Sequence, residues 1–336
     1  MKILITGGAG FIGINFVHYI LSNYINDSVI VLDILNYSSN PEEIQQLKKY
    51  RNFEFIKGDI RNYNLIDKVI KKVNVIINFA AESHVDRSIM NPSAFFDTNV
   101  NGTVNLLSVA LKNKIDRFIQ ISTDEVYGSI IKGRSKEKDI LNPTSPYSSS
   151  KAAADLIALS YYKTYGLPVI ITRSSNNFGP YQHPEKFIPL FITNALYNQK
   201  LPLYGDGKNI RNWIYVEDNC RGIDLVLRKG KIGEIYNIGG DVEVKNIDIV
   251  KYILNMLGKN EDLIQYVDDR PAHDRRYALD SGKIKKLGWK CRYNFKEALK
   301  KTIDWYIENK TWWQKRKNNS FKKYYNNWYK KQRGLK

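Results

Sequence analysis

Lys2-Ile3-Leu4-Ile5-Thr6-Gly7-Gly8-Ala9-Gly10-Phe11-Ile12-Gly13 is the stretch whose reading decides the fold. An apolar run rich in β-formers ends on glycines, after which Ile12, Phe16, Val17, Ile20 and Leu21 recur at the spacing of an amphipathic helix. A strand, a glycine turn and a helix in that order turn backbone amides and the positive helix end toward one spot with no side chain in the way. That arrangement suits a pyrophosphate. The next apolar run, Val29-Ile30-Val31-Leu32-Asp33, closes on a carboxylate twenty residues after Gly13. A carboxylate there accepts hydrogen bonds from an adenosine ribose and repels a 2′-phosphate, so the expected cofactor is NAD and not NADP. Asp59, in Gly58-Asp59-Ile60-Arg61 behind a third strand Phe53–Lys57, stands where it can reach the adenine edge.

Working outward, strand-like and helix-like segments keep alternating. Val75-Ile76-Ile77-Asn78-Phe79, Phe118 to Ser122 and Val169-Ile170-Ile171-Thr172-Arg173 read as further buried strands. Alternation of this kind predicts an α/β fold, a Rossmann-like doubly wound parallel sheet with helices on both faces. Past Asn176 the texture changes to prolines (Pro180, Pro184, Pro189, Pro202) and dense aromatics, which reads as a smaller C-terminal lobe. The expected division is a cofactor domain over 1–175 and a substrate domain over 176–336, with segments near 211–240 returning to the first sheet. Ile247 to Leu257 and Phe295 to Tyr306 read as helices of the second lobe.

The chain has 336 residues, 43% of them hydrophobic, enough for a sizeable core. No apolar run has the length to span a bilayer, and Met1-Lys2 leads straight into the first strand, so a cytoplasmic protein without leader or anchor is expected. Cys220 and Cys291 are far apart and lack metal-ligand spacing, which predicts neither a disulfide framework nor a metal site. The net charge of +18 raises the question of nucleic acid. Ten Lys or Arg and no acid fall between Lys310 and Lys336, so more than half of the excess is confined to the terminus. That tail interleaves Trp312, Trp313, Tyr324, Tyr325, Trp328 and Tyr329 with its cations. The expected role of its aromatics is docking on the protein itself, with nucleic-acid binding as the competing use. The remaining positive charge suits an anionic small substrate.

Two further stretches carry the chemistry. In Tyr147-Ser148-Ser149-Ser150-Lys151 a phenol and an ammonium share one helix face, so the cation is expected to lower the phenol's pKa and make it a base. In Ser122-Thr123-Asp124-Glu125-Val126-Tyr127-Gly128 two adjacent carboxylates follow a buried strand, at the sheet edge where open α/β folds keep reactive groups. Burial and mutual repulsion can hold one carboxyl neutral while the other ionises, giving an acid and a base side by side.

The glycine loop, the Tyr147/Lys151 pair and Asn78-Phe79-Ala80-Ala81 together resemble the extended short-chain dehydrogenase/reductase superfamily. Within it, Ala80 to Ser88, Ser122 to Gly128 and Arg270-Pro271-Ala272-His273-Asp274-Arg275-Arg276-Tyr277 resemble the nucleotide-sugar 4,6-dehydratase branch, over almost the whole chain. The resemblance implies dehydration of a nucleoside-diphosphate hexose, dTDP-glucose in the first place, with a tightly bound NAD. Tyr147, its pKa lowered by Lys151 together with the positive nicotinium ring, would take the hydroxyl proton at carbon 4 and start oxidation there, with Thr123 hydrogen-bonding the same hydroxyl. Glu125 would then take the proton from carbon 5, and Asp124 would protonate the departing hydroxyl of carbon 6. The implied cofactor residues are Gly7, Gly10, Phe11, Ile12, Gly13, Asp33, Asp59, Ile60, Ala80, Ala81, Ser83, Thr98, Tyr147, Lys151 and Asn177. The implied substrate residues are His84, Thr123, Asn176, Glu185, Lys186, Pro202, Tyr204, Arg211, Asn246, Arg270 and His273. Arg211 is expected to be the best forked donor to a diphosphate and Tyr204 a stacking partner for the pyrimidine. Ala272 stands where relatives more often carry glycine. The resemblance also implies a homodimer through helices around Asn99 to Leu111 and Lys151 to Tyr162. Competing readings are a UDP-glucose 4,6-dehydratase, a UDP-sugar 4-epimerase, which would lack the Asp-Glu pair, and a catalytically silent nucleic-acid binder.

Overall fold

A computed structural model describes all 336 residues. Strands β1 (Lys2–Thr6), β2 (Ser28–Asp33), β3 (Phe53–Lys57), β4 (Val75–Asn78), β5 (Arg117–Thr123) and β6 (Val169–Ser174) alternate with helices, as the apolar runs predict. Next in the chain are β7 (Asn176–Phe178), β8 (Leu201–Tyr204), β9 (Ile210–Tyr215), β10 (Ile235–Ile238), β11 (Val242–Lys245) and β12 (Ile264–Val267). The main sheet has seven strands in the order β10-β6-β5-β4-β1-β2-β3, all parallel. The chain reverses direction across the sheet between β1 and β4, which opens a crevice at the carboxyl ends of those strands.

Both faces of the sheet are covered. Helices Phe11–Asn23 and Val216–Lys229 close one side, with Phe16, Val17, Ile20, Cys220 and Ile223 buried against Ile3, Ile5 and Ile77. Helices Tyr63–Ile70, Gly102–Lys112 and Pro146–Tyr165 close the other, where Ile66, Leu106 and Ala158 meet Leu4, Ile76 and Phe118. Strands buried on both faces must be apolar throughout, which is why these runs do not alternate.

The two expected return segments part company. Strand β10 joins the main sheet beside β6. Strand β9 instead pairs with β7 and β11 in a separate three-stranded sheet, so Asn212 to Tyr215 belongs to the second lobe. That lobe also holds the β8/β12 ribbon and helices Phe187–Leu196, Asn246–Met256 and Phe295–Glu308 around its own apolar cluster. The basic tail forms helices Lys310–Arg316 and Asn319–Tyr325 and a last turn Asn326–Lys331, and buries Trp313, Phe321, Tyr324, Trp328, Tyr329 and Leu335 in that cluster. Aromatics committed to a core cannot stack on bases, so this placement removes the feature that suggested nucleic acid.

Candidate active site

The first cleft lies over the crevice and is lined by Gly7, Gly10, Phe11, Ile12, Gly13, Asp33, Asp59, Ile60, Ala80, Ala81, Ser83, Thr98, Tyr147 and Lys151. Gly7 adopts φ +66°, and a Cβ there would come within 2.5 Å of the Ala80 backbone nitrogen. A Cβ on Gly13 would strike the Gly7 carbonyl at 2.4 Å. Only glycine keeps this floor low enough for a pyrophosphate. Asp33 is buried and accepts from Leu35 N and Ser39 Oγ on one oxygen and from Ala9 N on the other. A carboxylate has about four acceptor sites, so one remains for a ribose hydroxyl. Asp59 is tied to Arg61 at 2.6 Å. These residues fit NAD. Asn177 lines the neighbouring pocket instead, because β7 carries it away from the sheet edge.

Tyr147 and Lys151 occupy the first turns of helix Pro146–Tyr165, and their placement is written locally. Ser145 caps the helix: its hydroxyl accepts from Ser148 N at 3.1 Å, the Ser148 hydroxyl accepts from Ser145 N at 3.0 Å, and Pro146 fixes the first turn. Opposite them β5 ends at Thr123, whose hydroxyl accepts from Glu125 N at 3.2 Å and caps a single 3₁₀ turn, Asp124–Tyr127. The Thr123 hydroxyl donates to Asp124 Oδ1 at 3.2 Å.

The electrostatics depart from the expectation for the tyrosine. Burial, with Glu125 adding to it, pushes the Tyr147 phenol well above its ordinary value. Lys151 does not offset this. Its Nζ donates to the Ile121 carbonyl at 2.6 Å, and burial pulls its pKa down to about 8. The helix pair alone therefore leaves the phenol protonated. The two carboxyls are separated as expected. Burial and the neighbouring Glu125 raise Asp124 to about 8, with Arg211 opposing, and its Oδ2 has no hydrogen-bond partner. Burial also raises Glu125, but Arg270, Arg211 and Lys186 all pull it back.

A second pocket adjoins the first and shares Ser83, Gln182, Glu185 and Lys186 with it. Its lining includes Glu125, His84, Asn176, Lys186, Pro202, Tyr204, Arg211, Asn246, Arg270 and His273. Thr123 does not line it. Asn176 and Asn246 each hold a buried side-chain oxygen without a partner.

Two assignments shift. Arg211 donates from one terminal nitrogen to the Ile210 carbonyl and from the other to the Asp274 carbonyl, each at 2.9 Å, which leaves fewer N–H groups for a diphosphate than expected. Arg270 binds Asp86 through one nitrogen at 3.1 Å and keeps an unpartnered Nε, so it is the better anion donor. Glu185 is turned toward Arg87 (2.9 Å) and Tyr37 (2.9 Å), a structural contact at the junction of the pockets. Lys186 donates to the Ser83 carbonyl at 2.7 Å. His84 packs edge-on to Tyr324, and burial keeps it neutral by lowering its pKa. His273 meets Asp269 at 2.5 Å, and burial followed by Arg270 and Arg211 lowers it to about 4. Ala272 takes φ +52°, the left-handed conformation that a glycine would adopt freely.

Sequence reasoning missed Asp86, Tyr277 and Tyr329, which also line the second pocket. Asp86 stood inside the quoted Ala80 to Ser88 stretch, but nothing local marks it as a hub for residues far away in the chain.

A family model described as GDP-mannose 4,6 dehydratase matches residues 4–302. The low-salt glycan biosynthesis protein Agl12 of Haloferax volcanii is 52% identical over 91% of this chain and 99% of its own length. A dTDP-glucose 4,6-dehydratase of Streptomyces niveus is 46% identical over 94% of this chain and 95% of its own. The crystal structure of the dTDP-glucose 4,6-dehydratase DesIV from Streptomyces venezuelae, with NAD and a TDP ligand bound, superposes with a TM-score of 0.92 at 48% identity, covering 94% of this chain and all of that one. With a glycine cradle fitted to NAD, a tyrosine-lysine helix and an acid-base pair at the end of β5, the chain belongs to the nucleotide-sugar 4,6-dehydratases of the extended short-chain dehydrogenase/reductase superfamily.

Proposed function

We propose that the protein converts dTDP-glucose to dTDP-4-keto-6-deoxyglucose and water. The observation that carries this reading is Asp124, a buried carboxyl whose pKa is raised to about 8, directly before Glu125, which lines the second pocket. An epimerase returns hydride to the carbon it left and has no use for such a pair.

NAD supplies the oxidising power, taking hydride from carbon 4 and returning it to carbon 6. In the reaction Tyr147, ionised with the help of the positive nicotinamide ring that NAD would bring into the first cleft, accepts the carbon 4 hydroxyl proton, and Thr123 hydrogen-bonds the same hydroxyl. Once carbon 4 is a ketone, the proton on carbon 5 becomes acidic and Glu125 removes it. Asp124 gives its proton to the carbon 6 hydroxyl as that group leaves as water. Arg270 and Lys186 hold the diphosphate, Tyr204 and Pro202 flank the base, and Asn176 and Asn246 offer their unpartnered amide oxygens to sugar hydroxyls. Within the cofactor cleft Asp33 meets the ribose and Asp59 the adenine.

No helix is long and apolar enough to cross a membrane. Both cysteines are free, which supports a cytoplasmic setting. Exposed Phe96, Leu156 and Tyr165 on or beside the helices expected at a dimer contact support a homodimer. The test is product identification by mass after incubation with dTDP-glucose and, separately, UDP-glucose. A 4-keto-6-deoxy product from the thymidine sugar is expected, and clean conversion to the galactose epimer would overturn the assignment.

A further inference from the structure

The matched family model ends at residue 302, yet the tail beyond it reaches the substrate pocket. Tyr329 lines that pocket and lies against Tyr204, ring centroids 5.7 Å apart and planes 22° from parallel. Trp328 Nε1 donates to the Tyr204 hydroxyl at 2.6 Å, and that hydroxyl donates to Asp86 at 2.9 Å. Tyr324 donates to the same Asp86 oxygen at 3.2 Å, while the other Asp86 oxygen takes Arg270. The last residues clamp the loop carrying Arg270 and His273: Asp268 N donates to the Arg333 carbonyl at 3.1 Å, and Arg333 donates to the Asp269 carbonyl at 3.2 Å. All three tail aromatics are buried.

We propose that the C-terminal tail builds the nucleoside-diphosphate end of the substrate pocket. Tyr329 forms part of its wall, and Trp328 and Tyr324 act as positioning residues for Tyr204 and Arg270. A phenol ring free to rotate offers a base a blurred stacking surface. Backed by Tyr329 and pinned through its hydroxyl from two sides, Tyr204 holds one orientation, and less side-chain freedom is lost when a ligand arrives. Asp86 plays the same part for the guanidinium, since a buried carboxylate with three donors keeps Arg270 aimed at an anion. Tyr147 lines the first cleft and not this pocket, so the tail is expected to act on binding more than on the hydride step.

This inference rests on the proposed substrate, and the test separates the two. In the full-length, NAD-loaded protein, the dissociation constant of dTDP and the KM and kcat for dTDP-glucose are measured for Trp328→Phe, Tyr329→Ala and Tyr329→Phe. Trp328→Phe keeps a ring and loses the donor, and should weaken dTDP binding and raise KM about fivefold. Tyr329→Ala should cost at least about tenfold in both, the scale of a lost aromatic stacking layer, and Tyr329→Phe should recover most of it. In all three kcat and NAD content stay near those of the parent. Unchanged dTDP affinity in Trp328→Phe and Tyr329→Ala, or a fall in kcat with KM constant, would overturn the proposal. Should Tyr329→Ala fail to fold, Trp328→Phe decides alone. A parent protein that binds dTDP but turns over no dTDP-glucose would sink the assigned activity and leave this inference standing.

Discussion

Asp124→Asn tests the acid assignment through stability as well as rate. Burial and Glu125 lift the Asp124 carboxyl from 3.8 to about 8, so between those values the native protein holds a proton that the unfolded chain has released. The side with more bound protons is favoured at low pH, so this residue makes the fold less stable as pH rises through that window, by about 1.4 kcal/mol per pH step. At pH 7 the accumulated cost is about 4 kcal/mol. An asparagine never ionises and escapes it, but its NH2 would point into the place of Oδ2, which has no hydrogen-bond partner. An unpaired buried donor costs about 1–3 kcal/mol, leaving a net gain of about 1–3 kcal/mol at pH 7. The cleaner observable is the pH dependence, because the amide penalty is the same at every pH. Denaturant unfolding of both proteins at pH 5 and pH 8 should show the variant's advantage growing by about 3–4 kcal/mol between the two. Turnover of dTDP-glucose should fall at the same time by about a hundredfold to ten-thousandfold, the contribution of a positioned general acid. Parallel stability curves would mean that Asp124 is already ionised in the native protein, and the acid role would have to go elsewhere.

Glu125→Gln should still permit the first oxidation and then stall, visible as persistent near-ultraviolet absorbance of reduced nicotinamide on the enzyme; no such absorbance would place Glu125 in the first step. Tyr147→Phe should lower turnover by about a hundredfold or more and block reduction of the cofactor as well, so near-parental rates would remove the phenol from the reaction. Ala272→Gly relieves a left-handed backbone at φ +52°, and after the entropy cost of glycine should stabilise by about 0.5–1 kcal/mol, read as a higher denaturant midpoint. A lower midpoint would show that the loop is held by other forces.

The parts of this fold legible in the sequence are those whose causes are local. The β1 turn needs glycines because Ala80 approaches Gly7, and the apolar run that supplies Ala80 was itself visible. Tyr147 and Lys151 are set by the Ser145/Ser148 cap just ahead of them. Strand β9 was assigned to the main sheet because pattern shows that a segment is a strand without showing its partner; pairing with β11 is decided by packing in the second lobe. Arg211 was overrated for a related reason. A sequence displays a guanidinium but not the Ile210 and Asp274 carbonyls that occupy it. The docking of the tail aromatics was legible in the sequence, but not that Tyr329 would reach the second pocket, since that depends on packing against Tyr204.

At the end of β5 the sign of the field matters more than the identity of the groups. Burial pushes all four titratable side chains there toward neutrality, raising Asp124, Glu125 and Tyr147 and lowering Lys151. What separates their roles is the distribution of cations around them. Arg270, Arg211 and Lys186 oppose burial at Glu125, whereas Arg211 alone does so at Asp124 and Glu125 works against it. This distribution favours the proposed roles, Glu125 as base and Asp124 as acid, an orientation that the two adjacent letters in the sequence could not supply. No cation of the protein does the same for Tyr147. Positive charge brought into the first cleft with NAD would act on it as those cations act on Glu125.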